Sequence, residues 1–242
     1  MRRDDDHARF SRSPIGLARP AAVLWDMDGT LVDTEPYWMA AEIALVEAYG
    51  GTWTTEHSKA LVGNDLRVSA RYIREHGNVP LETDDIVLRL LDGVIARMHD
   101  HVPWRPGART LLAELRASAV PCALVTMSWQ QLARTFLDAV PQGTFTVVVT
   151  GDQVTRGKPH AEPYVHAARL LGVDPADALA IEDSPTGVAS ATAAGVPVLA
   201  VPHVLPVEPA PGRVVHPTLE GTDLAFLRNL FTEASQAPVS PS

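Results

Sequence analysis

Five short apolar runs recur along the chain, each closed by a turn or by polar side chains: AAVLWD (21–26), VPCALVT (120–126), FTVVVTGD (145–152), DALAIED (177–183) and VPVLAVP (196–202). Residues in these runs are apolar whichever way they point, and many are β-branched, which suits strands covered on both faces. Between the runs the apolar positions move to helical spacing, at 107–118, 129–140, 162–172 and 186–195. Strand alternating with helix predicts an α/β fold, a doubly wound parallel sheet between two layers of helices. One interval breaks the alternation. Over 36–103 every repeat is helical, through YWMAAEIALVEAYG, TTEHSKALVG, DLRVSARYIREHG and TDDIVLRLLDGVIARMHD. An α-helical cap domain inserted after the first strand is therefore expected. The core domain is read at 21–35 and 104–232 and the cap at 36–103, with disordered tails, rich in charge, Ser and Pro, at 1–20 and 233–242.

Composition changes this picture only by exclusion. Apolar residues make up 46% of the 242, enough for a large core, and the net charge is −9 with no Lys/Arg cluster that would track a nucleic-acid backbone. No nucleic-acid partner is expected. No segment approaches the ~18 uninterrupted apolar residues of a membrane span, and the first twenty residues lack the apolar stretch of a secretory leader. The expectation is a cytoplasmic protein with no membrane partner, and a monomer. Cys122 is the single cysteine, set in an apolar run, and reads as a buried thiol in a reducing compartment.

The chemistry sits where the runs end. VLWDMDGT closes its strand with Asp26 and Asp28, two carboxylates at i and i+2 that point to one side and repel each other unless something positive lies between them. In open α/β sheets ligands bind at the carboxyl ends of the strands. Those ends carry Asp26, Asp28, Thr126, Glu182 and Asp183, with Lys158 in the loop beyond the third strand. Four acids in one crevice call for a hard divalent cation, and Mg²⁺ is the usual choice where phosphate oxygens complete its shell. Lys158 and the Thr126 hydroxyl then act as donors to a phosphoryl group, so phosphoryl transfer is the expected reaction class.

Together, DMDGTLVD (26–33), Thr126, GKP (157–159) and EDSPTG (182–187) resemble the four motifs of the haloacid dehalogenase (HAD) superfamily, in order and spacing, over about residues 21–202. The helical insertion resembles the cap of the branch that includes β-phosphoglucomutase and phosphoglycolate phosphatase. The resemblance implies a Rossmann-like core and Mg²⁺-dependent hydrolysis of a small phosphorylated metabolite. By the same resemblance Asp26 is the nucleophile that becomes an aspartyl-phosphate, and Asp28 is the general acid and base. Mg²⁺ is held by Asp26, the Asp28 carbonyl and Asp183, with Glu182 assisting. Thr126 and Lys158 bind the phosphoryl group, with Met127 and Ser128 beside Thr126, and Gly63, Asn64 and Asp65 of the cap loop face the substrate.

Several residues bear on the alternatives. Trp38 and Leu66 stand where β-phosphoglucomutases place a histidine and a phosphate-gripping arginine, which favours hydrolysis over a mutase, although Arg67 lies one residue away. Asp28 argues against dehalogenation. Lys59, the sole cap lysine, is the only candidate for phosphonatase chemistry, and a non-catalytic scaffold would have lost one of Asp26, Asp28, Lys158 or Asp183. A neutral or polar ester such as a sugar or polyol phosphate is the expected substrate. His99, His101, His160 and His203 are read as solvated, Ser184 and Thr186 as the start of a helix, Ser128 and Thr126 as residues that could each cap the next helix, with Thr126 preferred over Ser128 as the functional hydroxyl, and the tryptophans as packing residues.

Overall fold

The protein is described here as a computed structural model covering residues 19–236. Segments 1–18 and 237–242 of the expected tails lie outside the described residues. In chain order the elements are β1 (Ala22–Trp25), α1 (Glu35–Ala48), α2 (Thr55–Lys59), α3 (Leu66–His76), α4 (Thr83–Asp100), α5 (Ala108–Ala117), β2 (Cys122–Val125), α6 (Gln130–Asp138), β3 (Val147–Val149), α7 (Glu162–Leu171), β4 (Ala178–Glu182), α8 (Pro185–Ala193), β5 (Val198–Ala200), β6 (Arg213–Val215) and α9 (Leu224–Gln236). The strands form one parallel sheet in the order β3-β2-β1-β4-β5-β6.

Both faces of the sheet are covered, as uniformly apolar strands require. Val23 and Trp25 of β1 join a core with Leu111, Phe136 and Leu227 from α5, α6 and α9. Ala22 and Leu24, pointing the other way, join Tyr164, Ala167 and Val188 from α7 and α8. Cys122 is buried within β2, and burial pushes its thiol up to about 12, which makes it inert.

Two elements were not legible as periodicity. β6 has three half-buried residues and exists because its backbone pairs with β5 at Leu199 and Val214. α9 continues through Gln236, so residues 233–236, read as tail, are helical. Within the cap, α2 stops at Lys59, and 60–63 form turns rather than the longer helix expected there.

The cap, α1 to α4, leaves and rejoins the core through paired backbone. Asp33 N–H donates to the Pro103 carbonyl at 2.7 Å and Arg105 N–H to the Leu31 carbonyl at 2.9 Å. The two connections thus enter side by side next to the end of β1, which suspends the cap over the carboxyl edge of the sheet. Truncating Phe136, fully buried between Trp104 and Phe145, is expected to cost about 3–5 kcal/mol. Denaturant unfolding of Phe136→Ala checks it; a loss below about 1 kcal/mol would contradict this account of the core.

Candidate active site

β1 sits at the centre of the sheet, between β2 and β4. Chain order reverses about it, which opens a crevice at the carboxyl ends. Asp26 follows β1, Thr126 follows β2, Glu182 ends β4 and Asp183 follows it, so sheet register alone brings these residues together. Lys158 reaches in from the loop between β3 and α7. Its ammonium lies 2.6 Å from Asp26 Oδ1, 2.6 Å from Glu182 Oε1 and 3.0 Å from the Val125 carbonyl, with the side chain 2% exposed. Burial alone disfavours this ammonium, yet the charges of Asp26 and Glu182 outweigh it and hold Lys158 above its ordinary range.

One cation does not balance the acids. One carboxylate oxygen from each of Asp26, Glu182 and Asp183 lies within 4.8 Å of the others. Burial pushes Asp26 up to about 7 even though Lys158 pulls it down. Asp183 is held well above the carboxylate range by burial and then by the charges of Asp26 and Glu182. Asp26 Oδ2 is buried with no hydrogen-bond partner among the described residues. An orphaned oxygen beside a second unneutralised carboxylate is the donor set that a hard cation fits. Glu182 is more fully committed, accepting from Lys158, from Tyr164 Oη at 2.7 Å and from the Asp183 N–H at 3.2 Å.

A tight turn follows Asp28, with the Gly29 N–H donating to the Val32 carbonyl at 2.7 Å, and Asp28 lines the same cleft as Asp26. Gly29 has φ +88°, and a Cβ there would collide with the Asp183 carboxylate, so the position requires glycine on two counts. Asp28 itself is caught by neutral donors. Thr34 Oγ1 donates to Oδ1 at 2.6 Å and Trp38 Nε1 at 3.3 Å, while Thr126 Oγ1 and Ser128 Oγ donate to Oδ2 at 3.1 and 2.8 Å. Thr126 and Ser128 therefore share one task, and Ser128 does not cap α6. The N–H of Gln130 donates instead to Asp152 at 3.1 Å. Ser184 caps α8, accepting from the Gly187 N–H, and Thr186 lies within that helix.

The cleft above these residues is lined from the core by Asp26, Asp28, Thr126, Met127, Ser128, Lys158 and Asp183, and from the cap loop by Gly63 and Asn64. Gly63 lies so close to the core that a Cβ there would sit 2.8 Å from Ser184 Oγ. Asp65 departs from the expectation. Its carboxylate accepts from the N–H groups of Arg67 and Val68 and caps α3, and it is absent from the cleft wall. Arg67 also points elsewhere, paired with Asp84 at 2.8 Å and stacked 4.7 Å over Trp129. His99 and His101 are exposed at the end of α4. His160 accepts from the Glu162 N–H, and His203 binds Asp33 at 2.8 Å rather than solvent.

Sequence reasoning missed Thr34, Trp38 and Tyr164, and on the cap side Glu35 and Glu42, which also line the cleft. The available signal was spacing on α1. Residues 35, 38 and 42 fall on one helical face, and an acid there faces either solvent or the site. Burial and the nearby Asp28 charge push Glu35 up to about 8.

Comparison with known proteins agrees with this geometry. The family described as haloacid dehalogenase-like hydrolase matches residues 23–201. A bifunctional riboflavin kinase/FMN phosphatase of Arabidopsis thaliana is 34% identical over 187 residues, 76% of this chain; the match spans about half, 49%, of that longer protein. Hexitol phosphatase A of Escherichia coli is 31% identical over 188 residues, covering 74% of this chain and 81% of the relative. Among solved structures, a mutant of CbbY from Rhodobacter sphaeroides, in complex with xylulose-(1,5)bisphosphate, superposes with a TM-score of 0.78 at 27% identity, covering 86% of this chain and 98% of that one. With the family matched over most of its length, the chain belongs to the haloacid dehalogenase-like hydrolases and stands among that superfamily's phosphatases.

Proposed function

We propose that this protein is a Mg²⁺-dependent phosphomonoester hydrolase that works through an aspartyl-phosphate on Asp26 and acts on a small sugar or polyol phosphate. The observation that carries the reading is the Asp26 carboxylate itself, one oxygen fixed by Lys158 and the other buried without a partner among the described residues. Asp26 and Asp183 would hold Mg²⁺ with the Asp28 carbonyl, and Glu182 would support them. When bound, the ion offsets charge on the phosphoryl oxygens.

Asp26 attacks phosphorus as the bond to the leaving alcohol breaks, and Asp28 supplies the proton that the alkoxide takes up. Water then attacks the aspartyl-phosphate, Asp28 takes its proton, and inorganic phosphate and free Asp26 result. Lys158 holds the nucleophile and receives the anion. Thr34, Trp38, Thr126 and Ser128 hold the Asp28 carboxyl toward the cleft. Hydrolysis is favoured over a mutase because Lys158 is the only cation among the described residues lining the cleft. A bisphosphate would leave its second anion without a partner.

Asp26→Asn is expected to remove turnover of every phosphomonoester in a metabolite panel while the protein stays folded; released phosphate reports it, and retained turnover would refute the covalent route. Asp28→Asn should lower kcat by about 10²–10⁴-fold, and Thr34→Val, which removes one of the two donors to Asp28 Oδ1, should lower it less. Both are read in the same assay. The metal is testable without turnover. Mg²⁺ at about 100 times its Kd should stabilise the fold by roughly 2.7 kcal/mol. Asp183→Asn should raise metal-free stability, because it removes a buried charge repelled by Asp26 and Glu182, and should abolish the Mg²⁺-induced rise in Tm. A variant that keeps that rise would place the metal elsewhere.

A further inference from the structure

The cap side of the cleft has its own chemistry, distinct from the phosphoryl end. Glu35, Trp38 and Glu42 lie at i, i+3 and i+7 on α1 and form one stripe along the wall of the cleft. Trp38 is spent on Asp28, which fixes the phosphoryl end of the stripe. Four residues of helix separate Trp38 from Glu42, about 6 Å along the axis, a length that a hexitol chain spans and a glycerol chain does not.

Glu42 is 5% exposed, and its Oε2 accepts from Ser58 Oγ at 2.6 Å and from Trp53 Nε1 at 3.0 Å. Those two donors fix the carboxyl on one side. Its other oxygen makes no hydrogen bond among the described residues, and the residue lines the cleft. On α3, Ser69 lines the same cleft, and its hydroxyl makes no hydrogen bond among the described residues. A hydroxyl that faces the cleft with no protein partner is free to bond a ligand's hydroxyl. Leu61, Leu66 and Leu90 supply apolar wall between these groups. Polar groups without a cation, set in apolar wall, suit alternating C–H and O–H surface and offer nothing to a second phosphate.

We infer that Glu42 and Ser69 are specificity-determining residues that read the distal hydroxyls of an extended, uncharged polyol leaving group. The inference rests on the hydrolase reading above and narrows it. The leaving group is long enough to run along α1 from Trp38 to Glu42, carries hydroxyl groups at its far end, and is neutral. A charged amine would also meet Glu42, but it would leave Ser69 and the apolar wall without a role.

The test compares two esters that share a phosphate and a primary alcohol and differ in reach, sorbitol 6-phosphate and glycerol 3-phosphate. Wild-type protein is expected to have the higher kcat/KM for sorbitol 6-phosphate. The ratio of the two should fall by about tenfold in Glu42→Gln and in Ser69→Ala, the effect of one hydrogen bond to substrate. Thermal unfolding of each variant checks folding, and Glu42→Gln keeps an acceptor for Ser58 and Trp53. A ratio unchanged in both variants overturns the inference and leaves the hydrolase reading standing. A wild-type preference for phosphoethanolamine over sorbitol 6-phosphate also overturns it. Failure to turn over the two polyol esters while other phosphomonoesters of the panel are hydrolysed overturns the inference, and failure across the whole panel sinks the hydrolase reading with it.

Discussion

One buried ammonium organises the catalytic edge of this protein. Taking Lys158 and its two carboxylate partners out of water costs several kcal/mol per ion, repaid only when geometry satisfies every hydrogen. Here it does: the three protons of the ammonium meet Asp26, Glu182 and the Val125 carbonyl at 2.6, 2.6 and 3.0 Å. That triad demands that the ends of β1, β2 and β4 and the loop after β3 converge. The strand order supplies this by placing β1 between β2 and β4. Tyr164 reinforces the triad from behind, donating to Glu182 from α7 at 2.7 Å.

Two acids one residue apart acquire opposite settings from this arrangement. Asp26 points into charge and is fixed by a cation, with one oxygen left over. Asp28 points into hydroxyls and an indole, and four neutral donors orient it. Different environments for neighbouring carboxyls allow different roles, nucleophile for one and proton carrier for the other. One of the Asp28 donors, Trp38, belongs to the cap. Cap and core therefore meet through polar contact at Asp28, through van der Waals approach at Gly63 and Ser184, and through Arg67 stacked on Trp129. Because the Trp38 bond joins cap to core, the setting of Asp28 depends on where the cap sits.

Parts of this were legible before any coordinates. Asp26, Asp28, Lys158 and Asp183 stood out because acids and a lone lysine at the ends of apolar runs have no structural purpose, and register then brought them within bonding reach. The inserted helices stood out because periodicity changes where strands stop alternating. Asp65 misled because an acid in a cap loop reads equally as a ligand contact and as a helix cap, and only the N–H groups of Arg67 and Val68 decide between them. Arg67 misled likewise, since a neighbouring acid, Asp84, on a different helix claims it. β6 was invisible because a three-residue strand has no period of its own and owes its existence to β5.

The sequence by itself determined the layering, the inserted helical segment and the list of chemical groups, because those follow from local patterning and from the cost of burying unpaired charge. Only the tertiary structure decided which groups touch. Asp26 and Lys158 are 132 residues apart, and Thr126 and Asp28 are 98 apart. No local rule sets such distances; sheet order and the return of the cap across the carboxyl edge do. The same holds for Glu42 and Ser69. In the sequence they are an acid and a hydroxyl within helical stretches, and only helix packing turns them toward the cleft instead of water.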